Sequence, residues 1–282
     1  MTGSTGYLAR LLRWLAPIVL CAAVLISGTS AFSQEMTLKK AARLAKSGNV
    51  QAYIFLGKAY EKGEGVPQNR LTAAKFYKKA LDKGNVEAAF YFGRLVHYGG
   101  DGLGKNPQTA AQLYLRAARQ GMAEAQYWLG YCNQYAFGVE RDMSKALDWY
   151  RRAAENNIPA AQNNLAMLYL AGEGVRQDPK EAVRFLLLAS NAGYSWAQNN
   201  LAGLYELGWG VPEDIAKALK LYRMSATSGN PKAVQNLKRL AGIKSEVPAP
   251  APGVTNSGSS DSILQPAGET SILTTQPAEN QQ

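Results

Sequence analysis

The chain has 282 residues, 46% of them hydrophobic, so it can bury a sizeable core, and its net charge of +10 makes it basic. A single histidine and two cysteines exclude a histidine-rich metal centre and a disulfide-stapled scaffold. Length alone admits one large domain or two ordinary ones.

Residues 1–33 read as a secretory signal: Arg10 and Arg13 give the positive end, Trp14 to Ile26 a short apolar run, and Ala31 and Ser33 the small residues of a cleavage site before Gln34. A retained anchor is the alternative, although the apolar run falls short of the ~20 residues a span needs. Leu20 before Cys21 is too bulky for a lipoprotein site. Cleavage leaves Cys132 as the one thiol, so no intramolecular disulfide can form. This segment makes the expected location exported and periplasmic.

From Ala161 to Val175 the chain reads AQNNLAMLYLAGEGV, and from Ala197 to Val211 it reads AQNNLAGLYELGWGV, with eleven of fifteen positions the same. The repeat extends further. Ala52, Ala88, Ala125, Ala161, Ala197 and Ala233 follow one another at steps of 36, 37, 36, 36 and 36. A fixed period of this size predicts a solenoid of stacked units. The expected division is a capping half-repeat over residues 34–48, five repeats over 49–229 and a capping helix over 230–244. Each unit is expected to hold two helices. In the first, Ala and Leu/Tyr recur at helical spacing, and five residues past the Ala stands a small residue: Gly57, Gly93, Gly130, Ala166 or Ala202. The second starts at Asn69, Asn106, Asp142, Asp178 and Asp214, all good N-caps, with Asp178 and Glu181 forming a capping-box pair. It ends at Gly84, Gly121, Asn157, Gly193 and Gly229, residues that accept a left-handed conformation. Nothing alternates like a strand, so the fold class is all-α. From Ser245 to Gln282 the chain turns to Pro, Ser, Gly, Thr and Gln, with four acidic and no basic residues after Ser245, a composition expected to stay disordered.

The stretch AQNNLAMLYLAGEGVRQDPKEAVRFLLLASNAG resembles the Sel1-like repeat family, relatives of the tetratricopeptide repeats, in its Ala-x-x-x-Leu-Gly/Ala-x-x-Tyr, Gly-x-Gly-Val, Asp and Ala positions. The resemblance implies a right-handed α-solenoid of about five repeats whose first helices line a concave face. It also implies a protein–protein interaction scaffold. One branch, the periplasmic exopolysaccharide regulators, restrains a membrane sensor kinase. Another, disulfide-stapled and secreted, has been described as hydrolases of cell wall or penicillin. This chain lacks that branch's cysteines, and its second repeat carries one extra residue within YGGDGLG, expected to bulge the loop.

Three motifs compete with bland explanations. Gly99 to Lys105 mimics a phosphate loop, but no strand precedes it and Asn106 replaces the Ser or Thr. His97 has no nucleophile partner in register and is expected at a helix-end surface; Cys132 is expected as a small buried residue, with a redox-responsive thiol or an intermolecular disulfide as the alternative. No catalytic set, metal site or cofactor emerges.

Three residues past the repeat Ala stand Phe55, Tyr91, Trp128, Asn164, Asn200 and Asn236, and six past it Lys58, Arg94, Tyr131, Met167, Gly203 and Arg239. Either these registers are extra core, or they line a groove. The switch from aromatics to Asn favours the groove, because an unpaired buried amide costs about 1–3 kcal/mol. Phe55, Lys58, Tyr91, Arg94, Trp128, Tyr131, Asn164 and Asn200 are therefore the expected partner-binding residues. The partner class is another protein, a peptide segment or the periplasmic domain of a membrane protein. Nucleic acid is excluded for an exported chain. Lysines and arginines on the second helices form either a solvated face or a weak contact with anionic lipid or polysaccharide, and binding an anionic envelope polysaccharide is the remaining alternative function.

Overall fold

The computed structural model describes residues 36–242; the expectations for the signal segment and the tail lie outside them. Among the described residues there are twelve helices and no strand. They are α1 (Leu38–Lys46), α2 (Val50–Lys62), α3 (Arg70–Asp82), α4 (Val86–Tyr98), α5 (Pro107–Arg119), α6 (Ala123–Gln134), α7 (Met143–Glu155), α8 (Pro159–Ala171), α9 (Pro179–Asn191), α10 (Ser195–Leu207), α11 (Ile215–Thr227) and α12 (Pro231–Ala241). Each packs on the next in the chain, so α2/α3 through α10/α11 form five stacked hairpins, with α1 and α12 single at the ends. The architecture is an all-α solenoid.

Local sequence sets each boundary. Asn69, Asn106, Asp142, Asp178 and Asp214 all cap second helices, each side chain accepting from the N–H three residues on. The backbone N–H of each cap also closes onto its first helix, as in Asn69 N to Tyr60 O and Asp178 N to Tyr169 O. The capping box is half realised, because the Glu181 carboxylate takes a bond from Arg184 Nε at 2.7 Å. Second helices end in left-handed residues, and Asn157 adopts this conformation at φ 58 where the other repeats use glycine. The extra residue of the second repeat falls between Val96 O and Asn106 N, which still meet at 2.8 Å. The resulting bulge closes on itself through Gly100 and Leu103, and Arg70 of α3 donates to the Gly99 carbonyl at 2.9 Å. The loop is re-aimed onto the preceding repeat.

One core cluster runs from Ala89 to Leu204, extended by smaller clusters toward both ends. Each second helix drives one large side chain into it: Tyr77, Tyr114, Tyr150, Leu186 and Tyr222 are all fully buried. Small residues on the first helices make room for them. A Cβ on Gly130 would lie 2.7 Å from two ring carbons of Tyr150.

Candidate functional site

The first helices stand side by side in a row, joined directly by polar contacts. Lys58 of α2 donates to Glu87 of α4 at 2.8 Å and lies 4.6 Å from the centroid of the Tyr91 ring. Burial works against the Lys58 charge, but bonds to Glu87 and Tyr91 outweigh it and leave its pKa raised. Arg94 of α4 pairs with Glu61 of α2, whose other oxygen accepts the Tyr77 hydroxyl at 2.7 Å. Burial, then the Glu61 charge, pushes the Tyr77 phenol far above its ordinary range. The same arrangement recurs four repeats later as Tyr222, Glu206 and Arg239.

Three of the expected groove residues are core, and this is a correction. Trp128 is fully buried, Asn164 is 6% exposed and Asn200 3%. An unpaired amide would be costly in a core, but these amides are paired. Asn200 Nδ2 donates to Asn163 Oδ1 at 2.9 Å, Asn236 to Asn199 at 2.9 Å, and Asn164 to the Tyr150 hydroxyl at 3.2 Å. They form a ladder across α8, α10 and α12 that gives these buried amides partners. Arg94 is buried as well, held by Glu61 rather than offered to a partner. Phe55 is half-buried, packed in the cluster that contains α1 residues Leu38 and Ala41. Lys58, Tyr91 and Tyr131 keep partial exposure.

His97 is also corrected: it lies inside, not at a surface. Its ring stacks on Phe137 at 4.0 Å and meets Trp128 edge-on at 4.8 Å. Burial, with a smaller contribution from Lys105, lowers its pKa to about 4. Cys132 is buried, and desolvation pushes its thiol up to about 12. At neutral pH His97 is therefore held uncharged and Cys132 is held as the thiol. Gly99 to Lys105 follows a helix and forms a turn.

Two residues absent from the expected set stand out. Tyr98 is 37% exposed and Tyr135 is 44% exposed, each ten residues past its repeat Ala. They sit one helical turn beyond the six-past register, so the spacing three, six, ten traces one face; following the heptad-like stripe further would have found them. Tyr98 rests edge-on against Trp128 at 6.0 Å, and Tyr135 lies 4.6 Å from Tyr131. Trp128 in turn stacks on buried Tyr114. The exposed rings are thus mounted on a rigid aromatic base that spans the second and third repeats. Next along the row come half-exposed Met167 and Trp196.

The chain matches the Sel1 repeat over residues 50–85, 86–122, 123–158, 159–194 and 197–230. No curated protein matches it. Among solved structures it is similar to a Sel1 repeat protein from Oxalobacter formigenes, at 31% identity and a TM-score of 0.66, covering 82% of this chain and 92% of that one. It is also similar to c5321, a protective antigen present in uropathogenic Escherichia coli strains, at 31% identity and a TM-score of 0.65 over 72% of this chain. That alignment spans 43% of c5321, less than half its length. Sel1 repeat proteins are generally protein–protein interaction scaffolds. Five consecutive matches over five stacked hairpins place this chain in the Sel1 repeat family.

Proposed function

We propose that this chain is an exported, non-catalytic adaptor that holds a partner protein against its row of first helices. The observation that carries the reading is the aromatic ledge of Tyr98, Tyr131 and Tyr135, open to solvent yet fixed from below by Trp128 and Tyr114. Ordering a flexible side chain on binding costs about 0.5–1.5 kcal/mol, and rings already held by packing avoid much of that cost. Tyrosine anchors of this kind dominate many interfaces. Lys58 and Tyr91 extend the same face toward the N-terminus. The signal-like segment supports a periplasmic partner, and the resemblance to exopolysaccharide regulators makes the periplasmic domain of an envelope sensor kinase the partner class to test.

A photoreactive residue at Tyr135 should cross-link one discrete partner in cells, and the same residue at Lys83, on a second helix, should not. The partner's isolated domain should then bind the native chain, and Tyr98→Ala with Tyr135→Ala should weaken that binding at least tenfold while helicity holds. Equal cross-linking at both positions, or unchanged binding of the double variant, refutes the assignment.

A further inference from the structure

The solenoid is electrically lopsided. Residues 36–122 hold 15 Lys and Arg against 5 Asp and Glu, a net +10, whereas residues 123–242 hold 13 against 11, a net +2. The difference is built into the second helices. Each of the later repeats pairs at least one of its second-helix cations within one turn: Lys145 with Asp142, Arg184 with Glu181 and Lys217 with Asp214. Two of these three carboxylates are the helix caps themselves. In α3 and α5 the cap is the neutral Asn69 or Asn106, so the first turn supplies no counter-charge.

The excess gathers at one end. On α1, Lys39, Lys40, Arg43 and Lys46 share nine residues with no carboxylate. On α3, Lys75, Lys78, Lys79 and Lys83 are exposed and face one carboxylate, Asp82, which reaches Lys78 at 4.0 Å. The two sets adjoin. Phe76 of α3 packs in one cluster with Leu44 and Ala45 of α1, and a Cβ on Gly48, just after α1, would lie 3.3 Å from Lys83 Nζ.

We infer that this N-terminal end is a docking surface for a bilayer rich in anionic phospholipid. Seven of the eight cations are lysines, point charges on flexible stems that suit a diffuse field of headgroups; shaped recognition of a single phosphate or carboxylate favours the arginine fork. This end directly follows the apolar Trp14–Ile26 run, read above as a secretory signal with a retained anchor as the alternative, so it emerges beside a membrane during export. Exposed apolar area here is small, with Leu71 the one large hydrophobic exposed on α3, so docking is peripheral and electrostatic. Each basic side chain near an anionic bilayer raises partition by about fivefold.

The test uses the chain from Gln34 to Gln282, which contains every helix described above. It should sediment with vesicles of phosphatidylcholine mixed with phosphatidylglycerol, remain free with phosphatidylcholine alone, and be released by added salt. Reversing Lys75→Glu, Lys79→Glu and Lys83→Glu together should cut partition at least about a hundredfold. The matching Gln set should give a smaller loss, and both should melt like the native chain. Reversing Lys220→Glu, Arg223→Glu and Lys238→Glu at the other end changes net charge equally and should cost far less. Equal losses from the two ends would overturn the surface, leaving net charge alone. So would release by inorganic phosphate beyond that of chloride at the same ionic strength, which marks a discrete phosphate site. Binding to an acidic polysaccharide without binding to the mixed vesicles would overturn it as well.

Discussion

Replacing Gly130 with Ala sets two known effects against each other. In a helix interior the change should stabilise by about 1 kcal/mol through propensity. The new Cβ, however, would stand 2.7 Å from Cδ1 and Cε1 of Tyr150. Carbon contacts are favourable near 3.5–4.0 Å, so the overlap is roughly 0.8 Å. The ring cannot swing aside freely. It is fully buried, and its hydroxyl donates to Gln134 at 2.9 Å and accepts from Asn164 at 3.2 Å. Overpacking of this kind costs ~1–3 kcal/mol. The net expectation is destabilisation of about 1 kcal/mol, read as a lowered urea midpoint and a melting temperature down by about 2–4 °C. Gly104→Ala, where an added Cβ meets nothing within 4 Å, is the control and should stay within about 0.5 kcal/mol. The fourth repeat pairs Ala166 with Leu186 in the same registers, so in a Tyr150→Leu background the Gly130→Ala penalty should vanish. The fifth repeat holds Ala202 in one cluster with Tyr222, which ties the penalty to local spacing rather than to tyrosine as such. A Gly130→Ala chain more stable than the native one would mean propensity governs, and the packing argument fails.

The Asn ladder predicts that Asn200→Leu, which strands the Asn163 carbonyl oxygen and an Asn199 N–H, costs about 1–3 kcal/mol, whereas Leu at both Asn163 and Asn200 costs less than the two single changes summed; additive losses in urea melts would deny the coupling. Glu61→Gln leaves the guanidinium of Arg94, 8% exposed, without its counter-charge and should cost about 3 kcal/mol. Glu206→Gln should cost under about 1 kcal/mol, because Arg239 is 48% exposed and water replaces the partner; equal effects would contradict the burial contrast. Buried His97 binds its proton only near pH 4 when folded, against an ordinary value of 6.5, so the unfolded chain protonates first as pH falls. Its contribution is intact above pH 6.5 and is lost between 6.5 and 4, and His97→Phe should flatten chemical-denaturation stability across that window.

Helix boundaries were legible because they depend on neighbours in the chain. A cap needs one acceptor three residues before an N–H, and a terminator needs one residue that tolerates positive φ, so Asp142 and Asn157 could be placed without knowing the fold. The small-residue register was legible for a related reason. Gly57, Gly93 and Gly130 recur where the next helix must approach, and period alone locates that helix. His97 was not legible, since what buries it is Phe137 in the loop of the next repeat and Trp128 on the next first helix.

The amides show where reasoning by register breaks. A position that reads Phe, Tyr, Trp, Asn, Asn, Asn looked like a surface changing its chemistry, because an amide alone has no place in a core. Doubling changes that. With Asn163 beside Asn164 on α8 and Asn199 beside Asn200 on α10, these two helices each carry a pair of adjacent amides. One bonds its neighbour along the helix and another bonds across to the next repeat, as Asn163 to Asn164 at 3.2 Å and Asn200 to Asn163 at 2.9 Å. The pair satisfies what a single amide could not, so the doublet, and not the residue type, carried the signal for burial. The aromatic half works by the same logic. Tyr127 and Trp128 occupy the doublet registers in the third repeat, both fully buried, and they meet edge-on with ring centres 5.6 Å apart. From the third repeat on, rings and amides are therefore alternative fillings of one interior seam, and the first-helix face opens most one turn further along, at Tyr98 and Tyr135, with Tyr131, Lys58 and Tyr91 partly exposed beside them.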